Sequence, residues 1–283
     1  MREVCVGRQA IFDRARKVVS WELLFRSSDG MRVDQIDGNR ATAAVLVNAL
    51  VEIGLDRVAG GEPVYINCTR EFLERTPILP PESCVLKVLE SIESDPALLE
   101  SLDRLRAQGY TIALDDFVLT PQSIPLLARA HIVKLDVLAL GAEEVARHVE
   151  ALRPFNVKLL AEKVDSEKSL DACAELGFDL FQGYYLRRPD TIRGKAIKVG
   201  NAAALGLAGE CGKENADLAK ITRMISSDAT LSFKMLQLAN SAMFNARQPI
   251  ASIPQAISVI GLEALARWSM LMVMSGVERC PAS

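Results

Sequence analysis

Seven polar residues stand where successive apolar runs of the chain end: Glu22, Asn67, Lys87, Asp115, Lys134, Glu162 and Gln182. Carboxylates and an amide oxygen suit a hard divalent cation such as Mg²⁺ or Mn²⁺. A lysine beside them can hold a phosphate or an activated water. Asp116 follows Asp115 directly, and two metals bridged by that pair would clamp an in-line phosphodiester hydrolysis. Lys87 is the exception, a cation where such a site calls for an anion. One strand-end aspartate is more often a helix cap than a catalyst. Six such residues in successive units are hard to attribute to capping.

The elements that must position them are legible as alternation. Strand-like runs cover Val4–Phe12, Val18–Phe25, Pro63–Asn67, Cys84–Leu89, Tyr110–Asp115, His131–Leu135, Val157–Ala161 and Phe178–Phe181. Helical patterns lie between most of them, at 41–58, 95–108, 141–152 and 166–176. Such alternation predicts a parallel α/β architecture. Only the basic turn Asp13–Lys17 separates the first two strands, so the first is expected to be antiparallel. Eight strands then predict a TIM-like (β/α)8 barrel with one reversed strand. In such a barrel the strand interiors are apolar and chemistry sits at the strands' C-terminal ends.

After Pro189 the pattern changes. Residues 195–283 show almost no β signal, and helices are expected at 213–226, 228–242, 252–260 and 262–276. Six of the eight methionines fall here (Met224, Met235, Met243, Met270, Met272, Met274), and they read as helical core filler. The expected domains are 1–193, the barrel, and 194–283, an all-α module. Its long apolar faces, including Leu231, Met235, Leu238, Ile257, Ile260, Leu265 and Trp268, predict packing on the barrel or on a second copy as a homodimer.

A length of 283 residues suits one large barrel plus a smaller unit, and 49% hydrophobic residues can bury a substantial core. The net charge of -3 gives no global pull toward nucleic acid. The N-terminus shows no signal-peptide pattern, and apolar stretches such as Ala43–Val51 are too short to span a bilayer. The expected location is cytoplasmic, without a membrane or nucleic-acid partner. Six scattered cysteines with no CxxC pair read as reduced thiols. The only histidines, His131 and His148, lack metal-ligand spacing.

Four segments carry a family resemblance: Glu22-Leu23-Leu24-Phe25-Arg26, Leu114-Asp115-Asp116-Phe117, Ala161-Glu162-Lys163-Val164 and Gln182-Gly183-Tyr184. Over about residues 4–190 the chain resembles the EAL family, the cyclic di-GMP phosphodiesterase barrel. The resemblance implies that Glu22, Asn67, Asp115 and Asp116 match metal ligands, and that Glu162 matches a further carboxylate at the metal. It places Lys134 beside the attacking water and Gln182 on the ligand side, and Gln9 and Arg26 match residues that contact the dinucleotide. The tail, through Asp228-Ala229-Thr230-Leu231-Ser232, Asn240–Phe244 and Ser252–Gly261, resembles the first half of an HDOD domain. Such a domain normally continues well past residue 283.

Three departures matter. Lys87 stands where the family has a metal-ligand glutamate. Only the second glutamate of that Glu-x-x-Glu pattern, Glu90, remains, and in the family it steadies the loop after the paired aspartates. That loop, Phe117–Pro121, lacks the family's glycines, and Lys163 replaces a glycine. Strand parity puts Val85, Lys87 and Leu89 on one face, so Lys87 is expected inward, where an ammonium repels a divalent ion and can satisfy Glu22 and Asp115 itself. The expectation is a non-catalytic, degenerate EAL signal-transduction protein with no resident metal, serving as a cyclic di-GMP sensor or a scaffold for protein partners. The alternative is an active Mg²⁺- or Mn²⁺-dependent cyclic di-GMP phosphodiesterase.

Overall fold

The computed structural model describes residues 2–26, 37–197, 199–241, 244 and 248–275. Among the described residues nine strands form one sheet: β1 (Arg2–Asp13), β2 (Val18–Leu24), β3 (Val64–Cys68), β4 (Cys84–Val88), β5 (Thr111–Leu114), β6 (Ile132–Asp136), β7 (Lys158–Glu162), β8 (Leu180–Phe181) and β9 (Asp190–Ala196). Their order is β2-β3-β4-β5-β6-β7-β8-β1-β9, and β1 also pairs with β2, which closes an eight-stranded barrel with β9 as an extra strand. Neighbours from β2 to β8 run parallel. β1 runs antiparallel to β8, with Phe12 opposite Phe181. The reversal follows from the Asp13–Lys17 turn, which is tied by Asp13 N–H to the Lys17 carbonyl at 2.9 Å and has Arg16 in the left-handed region at φ 59°.

The barrel helices are α3 (Arg70–Leu73), α4 (Pro96–Ala107), α5 (Ile124–Leu127), α6 (Val137–Leu152) and α7 (Glu167–Leu176), and α1 (Gly38–Val47) and α2 (Leu55–Ala59) lie between β2 and β3. Caps decide where several begin. Asp95 accepts from Leu98 N, Asp136 from Leu138 N and Ala139 N, and Ser166 from Ser169 N, each satisfying orphan donors of a first turn. The expected single helix over 41–58 is instead α1, a π-helical turn at Asn48–Ile53, and α2 beyond Gly54, which adopts φ 94°.

The tail is helical as expected, with corrections. Its helices are α8 (Asn201–Cys211), α9 (Leu218–Ser226), α10 (Ala229–Ala239), α11 (Ile253–Ile260) and α12 (Leu262–Ser275). The sequence pattern missed α8, whose Gly206 and Gly209 lower helix propensity. It also missed β9, whose residues are exposed at every second position and lack a hydrophobic face. α9 begins at the Asp217 cap rather than at 213. Ala242, Met243 and Cys280 lie outside the described residues.

The described chain forms two compact units. One comprises Arg8–Leu24 and Glu62–Asp190; the other comprises the described parts of 1–7, 25–61 and 191–283. The seven apolar tail residues expected to seek a barrel or a second copy are buried within this second unit, with Met235, Leu238 and Leu265 fully so. No single described helix is long and apolar enough to cross a membrane.

In the barrel unit one apolar layer matters most. Ile11, Tyr65, Val85, Ala113, Ile132 and Leu160 form a buried cluster, with Leu180 packed against it. Side chains two residues apart share a face of a strand. The residues two positions on are Asn67, Lys87, Asp115, Lys134, Glu162 and Gln182, so the fold stacks the polar set directly on this layer.

Candidate functional site

The polar layer is a closed ion-pair cluster. Glu22, two residues before the end of β2, contacts the Lys87 ammonium through Oε1. Through Oε2 it accepts from Lys134 Nζ at 3.2 Å and from Gln182 Nε2 at 2.8 Å. Asp115 meets Lys87 at 2.9 Å and Lys134 at 3.0 Å. Glu162 meets Lys134 at 2.5 Å. Lys134 is fully buried and Lys87 is 5% exposed. Burial of this kind is tolerated only where each charge is paired. The expected contact of Lys87 with Glu22 and Asp115 is therefore made to both at once.

Three carboxylates share two ammonium groups, so one negative charge is in excess. Burial opposes ionisation of Glu22, yet Lys134 and Lys87 outweigh it and hold the carboxyl well below its usual range. Burial likewise depresses the charged form of Lys134, but Glu22, Glu162 and Asp115 raise it well above an ordinary lysine. Glu162 carries the excess. Burial pushes it up, Lys134 pulls it down, and the Glu22 and Asp115 charges raise it again, leaving it at about 7.

This gives a pH prediction. Glu162 ionises at about 7 in the folded chain against 4.5 for a free glutamate. Its contribution to stability is fully present below that free value and is lost as pH rises through about 7, a loss of about 3 kcal/mol. Glu22 has the opposite sign, with a contribution present above the free value and lost as pH falls. Urea unfolding from pH 4.5 to 8 should show stability declining with pH, and Glu162→Gln should flatten the decline. An unchanged slope in the variant would rule Glu162 out as its source.

The remaining candidates are placed as follows. Asn67 lies in register with Lys87 across β3 and β4. Gln9 is half-buried on β1, two residues from Ile11. Asp116 is exposed and left-handed at φ 40°. Glu90 is exposed, and its carboxylate lies with those of Asp115 and Asp116, the ligand atoms all within 4.8 Å of one another. Arg26 follows β2 and belongs to the other compact unit.

A family profile described as EAL domain matches residues 35–189, and one described as HDOD domain matches 201–280. The chain belongs to the EAL-domain family, with an HDOD domain following. It is similar to the uncharacterised YuxH of Bacillus subtilis, 31% identical over 98% of this chain and 69% of that protein. It is also similar to the cyclic di-GMP phosphodiesterase CdgJ of Vibrio cholerae, 29% identical over 96% of this chain and 64% of that one. Klebsiella pneumoniae BlrP1, solved with manganese and cyclic di-GMP, shares the fold at TM-score 0.54 and 22% identity, over 68% of this chain and 61% of that one.

The EAL motifs acquire local reasons. Lys163, where the family has glycine, sits at φ 58°, a conformation costing a side-chain-bearing residue about 1 kcal/mol. Its ammonium contacts Asp136, the cap of α6. Gly183 lies against the Val164 backbone, where a Cβ would fall 2.0 Å from the carbonyl oxygen. Gly183→Ala should therefore cost about 3 kcal/mol by overpacking, read as a shift in urea midpoint; a neutral substitution would mean the turn relaxes freely.

Two features escaped sequence reasoning. Tyr65 lies in the apolar layer beneath the cluster and is hydrogen-bonded to Ser20; burial, chiefly, raises its phenol above the usual range. Trp21 lies between the guanidinium groups of Arg8 at 3.9 Å and Arg187 at 4.9 Å, and both arginines bond Asp190. Three distant segments build that stack, so no local motif signals it.

Proposed function

We propose that this chain is a cyclic di-GMP signalling protein whose EAL barrel does not hydrolyse the dinucleotide and serves as a sensor or a protein-interaction scaffold. One observation carries the reading: the Lys87 ammonium is bonded to both Glu22 and Asp115. A divalent ion at those carboxylates would meet a buried cation and the already committed Lys134. These residues do not fit a metal there. The names of the Vibrio relative and of the Klebsiella structure support cyclic di-GMP as the ligand class. Gln9, Asp116, Gln182 and Arg26 are the residues proposed to meet it. Gln182 Oε1 is buried without a hydrogen-bond partner, which leaves an acceptor for a ligand donor.

A second reading, an active Mg²⁺- or Mn²⁺-dependent phosphodiesterase, draws on the grouped carboxylates of Glu90, Asp115 and Asp116. Titration with cyclic di-GMP, with and without Mg²⁺ or Mn²⁺, followed by product analysis, separates the two. No linear dinucleotide above a Glu22→Ala control is expected. Metal-dependent turnover well above that control would establish the second reading. The division into a barrel domain over 1–193 and an HDOD module over 194–283 belongs to the same proposal, as does a cytoplasmic location. A homodimer through the tail would have to use its exposed apolar residues, such as Leu218 and Phe233.

A further inference from the structure

At the base of the barrel, at the strand ends away from the polar layer, one hydrogen bond permits a single protonation state. β5 and β6 pair with Ala113 opposite Ile132 and Leu114 opposite Val133. One residue earlier the ladder changes character. His131 N–H donates to the Ile112 carbonyl at 2.9 Å, as a ladder requires. Ile112 is fully buried, so its own N–H needs an acceptor. The backbone before His131 turns away: Arg129 N–H meets the Leu126 carbonyl at 2.9 Å and Ala130 N–H the Leu127 carbonyl at 3.2 Å. The half-buried His131 imidazole takes the acceptor's place, with Nδ1 accepting from Ile112 N–H at 3.1 Å.

An amide N–H only donates, so Nδ1 presents its lone pair and the proton of the neutral ring sits on Nε2. A second proton on the ring would set N–H against N–H and strand a buried donor. The other histidine is the converse. His148 Nδ1 lies 2.9 Å from the Glu144 carbonyl, so there Nδ1 carries the proton. We infer that His131 is an acid-sensitive latch: its neutral imidazole completes the β5–β6 ladder, and protonation unpins the start of β5 from β6. These two strands lead at their other ends to Asp115 and Lys134, which bond at 3.0 Å. Burial, and after it the Arg106 guanidinium of α4, hold protonation of the ring below the ordinary value of 6.5. Other neighbouring charges are engaged or turned outward. Arg129 is paired with Asp103 of α4. Asp179 accepts from Leu159 N–H at 2.9 Å. Lys158, whose backbone N–H meets the His131 carbonyl at 2.9 Å, is exposed. The latch is fully closed above the ordinary histidine value and is lost as pH falls below it. That sign is opposite to the one for Glu162. The inference does not depend on whether the barrel hydrolyses or only binds.

Nuclear magnetic resonance on the full chain tests it without ligand. At about pH 8 the nitrogen shifts should show His131 with its proton on Nε2 and His148 with its proton on Nδ1. On acidification the Ile112 amide should shift with the midpoint of the His131 ring. Its protection from exchange, corrected for the intrinsic pH dependence, should fall by about tenfold once the ring is charged. His131→Asn offers an amide oxygen in place of Nδ1 and does not titrate, so Ile112 protection should stay level across the same range. A proton on His131 Nδ1 at high pH, or Ile112 protection unmoved as His131 titrates, would overturn the latch. So would the same pH dependence persisting in His131→Asn. Should that variant fail to fold, the tautomer and the paired titration in the natural chain decide the matter by themselves.

Discussion

Replacing Lys134 with methionine is expected to be the most damaging single change in the barrel. Lys134 is fully exposed to no solvent and bonds Glu22, Asp115 and Glu162. Methionine keeps its volume and removes its charge, so the buried Glu22 and Asp115 and the half-buried Glu162 are left with Lys87 alone. Breaking a buried pair in this way costs about 3–5 kcal/mol, because the surviving charges stay desolvated. Urea unfolding should show that loss at pH 8. The loss should be smaller at pH 5, where Glu162, which ionises at about 7, already holds a proton and does not need the Lys134 charge. A loss under about 1 kcal/mol, the range of an exposed ion pair, would mean that the cluster is hydrated and the buried-network account is wrong.

Lys87→Glu is expected to reverse the response of the barrel to divalent ions. Without metal it sets a further carboxylate against Glu22 and Asp115 and should destabilise the fold by about 3 kcal/mol. Those same groups then offer Mg²⁺ or Mn²⁺ an oxygen-rich site. Saturating to about 100-fold above its dissociation constant, the ion should return about 2.7 kcal/mol. Thermal unfolding with and without Mn²⁺ gives the comparison: a rise for the variant and none for the natural chain. Equal stabilisation of both would show that Lys87 does not control metal access. Hydrolysis is not expected to follow, because the loop Phe117–Pro121 still lacks the glycines of the family pattern.

The sequence by itself determined the barrel and its polar layer. Period-2 burial is a local property, so Val85 on the inner face commits Lys87 to the same face, and likewise Ala113 commits Asp115 and Ile132 commits Lys134. The Asp13–Lys17 turn committed β1 to reversal, since so short a connection cannot carry a parallel crossover. Lys163 could be marked as a departure from glycine, but its φ of 58° had to be seen. Only the tertiary structure decided which charges meet. That Lys134 serves three carboxylates, and that Glu162 is the one left to hold a proton, depends on strand stagger around a closed sheet. Only the tertiary structure decided, too, that α1 and Glu52 pack with α12 and Lys234. Helical periodicity shows that a face is apolar, but the apolar contact that covers it is non-directional and leaves its partner unnamed across some 180 residues of chain.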